Sequence, residues 1–226
     1  MKPVLVFDMD GVLVDVTDSY RAAIVATVKH FTGQEVSREK IQDYKNAGGW
    51  NDDWNLSQKI CADLGSVVPL DDVIDRFNRI FLGEDGENGL MHNERWLPEP
   101  GLLERLSKRF SLAIFTGRHD FELAPTLFRF APDLNFNPII TANKVERLKP
   151  APEGLLHIQA AHPNAELWYI GDAVDDAASA RAAGVKFIGI AEPGKPLYEQ
   201  AKAVLMANGA VAVLESVNQL ETALAV

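Results

Sequence analysis

The chain is short of cysteine, of basic charge and of long apolar runs. A single Cys, Cys61, excludes an internal disulfide and a cysteine-rich metal site, and it fits a reducing compartment. Lys and Arg number 22 against 32 Asp and Glu, a formal net charge of -10. A polyanion such as DNA, or an anionic membrane, would be repelled by that balance. No apolar run approaches the ~18 residues that a membrane span needs. The opening MKPVLVF has a short apolar run and then meets Asp8, which is too brief for a signal-peptide core. The expectation is a cytoplasmic protein with no nucleic-acid and no membrane partner. Internal repeats and low-complexity tracts are absent. So are G-x-S-x-G, a P-loop and G-x-G-x-x-G. The five His residues form no ligand-like cluster and read as structural or solvated. Nothing in the sequence specifies an oligomeric state.

What the chain does have is a series of short, continuous apolar runs: Val4–Phe7, Leu112–Phe115, Pro138–Thr141, Leu167–Ile170 and Val185–Ile190. Runs of this length that do not alternate suit parallel strands covered on both faces. Helical stretches at Gly101–Lys108, Pro152–Ala161 and Ala177–Ala183 separate the later ones. Alternating strand and helix implies an α/β fold built on a doubly wound parallel sheet. The stretch from Val16 to Trp96 breaks that rhythm. Tyr20, Ala23, Ile24, Thr27, Val28 and Phe31 recur at helical spacing, with Thr17 or Asp18 as cap and Gly33 as stop. Leu56, Ile60 and Leu64 form a second stripe ended by Gly65. Val73, Ile74, Phe77 and Phe81 form a third ended by Gly83. The expected organisation is a core of residues 1–15 and 97–226 with an inserted, all-helical cap at 16–96. Hinges fall near Val14–Thr17 and Arg95–Pro100.

Ligands of a parallel α/β sheet gather beyond the carboxyl ends of its strands, so the residues there carry the functional expectation. Asp8-Met9-Asp10-Gly11 follows the first run, Thr116-Gly117-Arg118 the second and Gly171-Asp172 the fourth, with Lys149-Pro150 shortly before the helix leading to that last strand. One aspartate after a strand is ordinarily a helix cap. Three, each directly after an apolar run, favour a site, because crowded buried carboxylates are costly without a cation. Carboxylate oxygens without His or Cys suit Mg²⁺ better than Zn²⁺. Thr116, the Gly117 N–H and the Lys149 ammonium could clamp phosphoryl oxygens. Cys61 sits within a cap stripe and reads as a packing residue. Trp50 and Asn51, in WNDDW after Gly48-Gly49, are either cap core or part of a loop that swings over a substrate.

These motifs carry a resemblance. DMDGVLVD at 8–15, FTGR at 115–118, LKPAP at 148–152 and GDAVDDAASARAAG at 171–184 occur in that order across essentially the whole chain. Together they resemble the haloacid dehalogenase-like (HAD) hydrolase superfamily. The long helical insert after the first motif is similar to the cap of its phosphoglycolate phosphatase and β-phosphoglucomutase branch. The resemblance implies a Rossmann-like core and a Mg²⁺-dependent phosphatase of a small phosphorylated metabolite. Asp8 would be the nucleophile that forms an aspartyl-phosphate and also a Mg²⁺ ligand. Asp10 would be general acid, then base, with its main-chain carbonyl on the metal. Asp172 would ligate directly, with Asp175 and Asp176 behind the ligands. Thr116 and Lys149 would hold the phosphoryl group. A metal-free dehalogenase has no place for Asp10, and a phosphonoacetaldehyde hydrolase resembles this motif without an acid there. A phosphomutase shares every residue named, and a non-catalytic phospho-ligand module would have lost some of them.

Overall fold

The computed structural model describes residues 2–84 and 87–224. Its packing divides the chain into two compact units, Met1–Val14 with Trp96–Val226, and Asp15–Arg95.

The first unit is built on six parallel strands: β1 (Val4–Phe7), β2 (Ser111–Phe115), β3 (Phe136–Ile140), β4 (Leu167–Gly171), β5 (Lys186–Ile190) and β6 (Ala212–Leu214). Their order is β6-β5-β4-β1-β2-β3. The central strand β1 pairs Val4 with both Ser111 and Leu167, and Phe7 with both Ile114 and Ile170. All four of its residues are buried, as expected of a strand covered on both faces. Chain order runs outward from β1 to β2 and β3, then returns to β4 and continues to β6. That reversal beside β1 is the topological switch point, where α/β sheets open a crevice. One face is covered by a cluster in which Val4, Val6, Phe115, Leu155, Ile158, Tyr169, Ala180 and Phe187 meet. Each such large side chain contributes about 1.5–3 kcal/mol on leaving water.

The strands at the site lie where the apolar runs put them, within two residues at either end. β6 went unread in the sequence: it is a three-residue edge strand, only half-buried, so it lacks the apolar run that marked the others. Between the strands stand helices Leu102–Arg109, Asp120–Phe130, Glu153–Ala161, Val174–Ala183 and Tyr198–Ala207. No helix among the described residues is long and apolar enough to cross a membrane.

The second unit holds α1 (Tyr20–Thr32), α2 (Arg38–Ala47), α3 (Asp53–Asp63) and α4 (Leu70–Leu82). Three of them follow the expected stripes, and Gly33 closes α1 in the left-handed region at φ 70°. The expected cap of α1 is corrected. Its N-cap is Ser19, without a side-chain cap bond. Thr17 instead donates to Asp15 Oδ1 at 2.5 Å, and Asp18 pairs with Arg38 at 2.9 Å. Asp15 also pairs with Arg95 at 2.6 Å, so the two ends of this unit are joined by charge. α2 carries a single buried residue, Ile41, too little for an apolar stripe. Its signal lies in the cap, where Ser37 accepts from the Lys40 N–H at 3.2 Å. The unit is not wholly helical: Gly83–Glu84 and Glu87–Asn88 pair as a two-residue antiparallel hairpin.

Candidate active site

The first turn beyond β1 brings two distant motifs together. Asp8 hangs from the strand end by its own N–H, 2.9 Å from the Ile170 carbonyl of β4. Gly11 then adopts φ 74°, and a Cβ there would lie 2.0 Å from Asp172 Oδ2. Only glycine allows both the positive φ and that approach. The carboxylate after β4 therefore rests against the turn after β1. Ligand oxygens of Asp8, Asp172 and Asp176 all lie within 4.8 Å of one another.

Lys149 enters this cluster as its counter-charge. Its ammonium lies 2.9 Å from Asp8 Oδ1 and 2.7 Å from Asp176 Oδ1. The Phe115 and Tyr169 rings flank it, with centroids at 4.9 and 5.3 Å, a cation–π setting. The Tyr169 hydroxyl donates to the same Asp176 oxygen at 2.7 Å, and the Ala173 N–H donates to the other at 3.1 Å. Asp176 is thus a member of the carboxylate cluster, bonded by Lys149, Tyr169 and Ala173. Asp175 is buried beside it at the start of Val174–Ala183.

Burial pushes the Asp8 carboxyl well above the ordinary carboxylate range, and Asp176, Asp10 and Asp172 push it further, while Lys149 opposes. Burial acts to lower Lys149, but Asp176 and Asp8 together outweigh it and hold the ammonium above the usual lysine value. Burial, then Asp176 and Asp8, keep the Tyr169 phenol protonated. With all groups ionised, three carboxylates against one ammonium leave two negative charges in a buried space. A divalent cation would balance that charge and return Asp8 to its carboxylate form. The donor set, all carboxylate oxygen, fits a hard cation.

Thr116 directly follows β2 and is buried, while Gly117 is exposed at the bend that follows. The Thr116 N–H is tied to the Ile140 carbonyl at 3.0 Å. Its hydroxyl oxygen accepts from the Arg118 N–H at 3.2 Å, which leaves its own proton for an outward acceptor. The Arg118 side chain turns back to Asp10: Nε and Nη2 lie 2.8 and 2.5 Å from Asp10 Oδ1. Arg118 and Tyr169 are the residues that sequence reasoning missed. Arg118 stood in view inside FTGR, three positions past a strand. Tyr169 was hidden inside an apolar run, where a phenol reads as core.

In the second unit, Trp50 meets Tyr44 edge-on at 6.0 Å between centroids. Asp52 caps α3 by accepting from the Trp54 and Asn55 N–H groups at 2.9 and 3.0 Å. Asp53 pairs with Lys45 at 2.5 Å, and Lys45 also reaches the Asn51 carbonyl at 3.3 Å. The two acids of WNDDW thus hold the unit's own structure. Cys61 is buried in α3 and its thiol is pushed up by burial, the state of an inert packing cysteine.

Fold and site define a doubly wound α/β protein with a lysine-bridged carboxylate cluster at its switch point. A model of the haloacid dehalogenase-like hydrolase family matches residues 5–190. The chain belongs to that family. It is 33% identical over 216 residues to a protein of Phytophthora nicotianae named imidazoleglycerol-phosphate dehydratase, covering 89% of this chain and 46% of that one. It therefore spans about half the length of that relative. A Pseudomonas fluorescens phosphoglycolate phosphatase is 24% identical over 220 residues, covering 90% of this chain and 76% of that one. Among solved structures, a haloacid dehalogenase-like protein of unknown function from Agrobacterium tumefaciens superposes with a TM-score of 0.76 at 21% identity. That match covers 100% of this chain and 98% of the other.

Proposed function

We propose that the protein is a Mg²⁺-dependent phosphatase of a small phosphorylated metabolite, working through an aspartyl-phosphate on Asp8. The observation that carries this reading is Asp8 itself: a buried carboxylate at the end of the central strand, 2.9 Å from Lys149 and grouped with Asp172 and Asp176. The name of the phosphoglycolate phosphatase relative supports the same reaction class.

In this mechanism a carboxylate oxygen of Asp8 attacks phosphorus and the ester P–O bond breaks. Asp10 gives its proton to the departing oxygen. Water then attacks phosphorus, Asp10 takes a proton from it, and the bond between Asp8 and phosphorus breaks to release phosphate. A carboxylate nucleophile divides one difficult cleavage into two easier ones. Lys149 favours the anionic form of Asp8 against its burial and offsets charge on the transferred group, while the Thr116 hydroxyl and Gly117 N–H orient its oxygens. Mg²⁺, held by Asp8, Asp172 and the Asp10 main-chain carbonyl beside Asp176, would supply the remaining charge compensation. Trp50 and Asn51 would select among leaving groups from the cap.

The test is phosphate release from p-nitrophenyl phosphate and from a metabolite panel, with Mg²⁺ and with EDTA. The panel includes phosphoglycolate and imidazoleglycerol phosphate, the compounds that occur in the relatives' names. Release that depends on Mg²⁺ is expected, and normal turnover by metal-stripped protein would defeat the reading. A phosphomutase would use the same core residues. Stimulation by a sugar bisphosphate, without net phosphate release, would replace the phosphatase reading with that one.

A further inference from the structure

The Asp10–Arg118 pair lies beside the cluster but does not belong to it. Arg118 is one of the largest fully buried side chains of the protein, 2% exposed. A buried guanidinium is costly unless its donors are matched, and here they are matched in a pattern. Nη1 donates to the Thr126 hydroxyl at 2.9 Å, on helix Asp120–Phe130. Nε and Nη2 both end on Oδ1 of Asp10. The Arg118 carbonyl accepts from the Ala142 N–H at 2.9 Å, so the backbone under the side chain is fixed as well. The partner carboxylate is only partly covered, with 32% of its side chain exposed against 1% for Arg118. The arrangement is a sealed clamp holding an acid whose other face is open.

We propose that Arg118 is the positioning residue for proton transfer by Asp10: by engaging Oδ1 with two donors, it fixes the carboxyl plane and assigns the transferable proton to Oδ2. The inference rests on the reading of Asp10 as acid and base. In the first step the Oδ2 proton passes to the leaving oxygen as the ester P–O bond breaks. In the second the same Oδ2 takes a proton from the attacking water, so one oxygen serves both halves and the books of protons balance. The clamp also explains why the Thr116 loop carries an arginine two residues on. The Arg118 N–H accepted by Thr116 and the guanidinium on Asp10 make one short segment align the phosphoryl cradle with the proton donor. Orientation of a reacting group within a fraction of an ångström is worth large factors in rate.

The experiment compares wild type, Arg118→Lys, Arg118→Met, Asp10→Asn and the Arg118→Met/Asp10→Asn double variant on a series of aryl phosphates, from p-nitrophenyl phosphate to phenyl phosphate, with Mg²⁺ present. Phenolate is the poorer leaving group and needs the proton more. Arg118→Met should lose about a hundredfold in kcat/KM, which reports the phosphoryl transfer that expels the leaving group, on phenyl phosphate and less than about tenfold on p-nitrophenyl phosphate, reproducing the steeper leaving-group dependence of Asp10→Asn. In the Asp10→Asn background the same change should add less than about threefold, because the clamp then has no acid to aim. Arg118→Lys keeps the charge but not the two-donor fork, and it should fall between wild type and Arg118→Met. It also carries the comparison if Arg118→Met does not fold. An equal loss across the series, or a full loss in the Asp10→Asn background, makes Arg118 a structural counter-charge and overturns the proposal. If Asp10→Asn leaves the leaving-group dependence unchanged, the acid–base reading of Asp10 falls, and this inference with it. If Asp10→Asn steepens it and neither Arg118 variant does, the Arg118 inference alone falls.

Discussion

Lys149 and Asp176 meet at 2.7 Å with 1% and 0% of their side chains exposed. The two come from different motifs, and the contact sets the electrostatics of the whole site. The ammonium is shared with Asp8, and Tyr169 adds a neutral donor to the same Asp176 oxygen. The lysine makes the carboxylate cluster tolerable and leaves a net negative charge that a cation would balance.

Removing that ammonium should therefore cost both stability and rate. Breaking a buried ion pair by deleting one partner typically costs about 3–5 kcal/mol. Lys149→Met should lose about that much in urea unfolding with EDTA present, and at least about a hundredfold in kcat with Mg²⁺. Asp176→Asn combined with Lys149→Met should lose less than the two single changes together, since they remove one interaction. Strict additivity in the unfolding data would mean that the 2.7 Å contact does not couple them.

Asp8→Asn removes the proposed nucleophile. The kcat should fall at least about a thousandfold, and no acid-stable, hydroxylamine-sensitive phosphoprotein should accumulate on quenching. A pure preparation that keeps more than a few per cent of activity would refute the assignment.

Metal removal should leave a signature in stability as well as in activity. Asp8 has its native pKa raised by burial and by neighbouring acids. Between the ordinary carboxylate value and that raised value the native state holds a proton that the unfolded state has lost. Stability of the metal-stripped protein should therefore fall as pH rises through that window. Lys149 works in the same direction but only above the ordinary lysine value, so it does not contribute there. Mg²⁺ needs the deprotonated carboxylates, so its stabilisation should grow with pH. Thermal melts with EDTA and with excess Mg²⁺, from about pH 5 to about pH 8, measure the difference. A Mg²⁺ increment that is constant or shrinking over that range would argue against a cation on Asp8.

Legibility in the sequence followed burial pattern. Asp8 and Asp172 were readable because each lies just beyond an apolar strand end, where the crevice of such a sheet opens, whereas Asp176, in the first turn of Val174–Ala183, was readable only through its motif. Lys149 was readable only through its motif, because nothing local marks a lysine that will be 5% exposed. Arg118 was passed over because a charge in a loop is usually solvated, and only the tertiary turn toward Asp10 buries it. The same logic covers the fold. α2 and β6 are too weakly apolar to leave a period in the sequence. Thr17 failed as a cap because its hydroxyl found Asp15 first, a competition between local hydrogen bonds that composition does not rank.

The last prediction concerns choice of substrate. Core contacts to phosphate are the same for every phosphomonoester, so discrimination requires groups that touch the rest of the molecule. The proposal for Trp50 and Asn51 is that they do so from the cap. In WNDDW the acids are already engaged, Asp52 by the α3 N–H groups and Asp53 by Lys45. Trp50 and Asn51 are half-buried beside them. An aromatic face would cover an apolar portion and the amide would meet a hydroxyl or amino group. Replacing both with Ala should lower kcat/KM for the physiological substrate at least about tenfold, or ~1.4 kcal/mol. It should change p-nitrophenyl phosphate turnover much less. Both substrates are measured on one preparation, whose melting temperature reports whether the Tyr44–Trp50 contact mattered to folding. Equal loss on the two substrates, or no loss on either, would assign this pair to cap packing and move specificity elsewhere in the second unit.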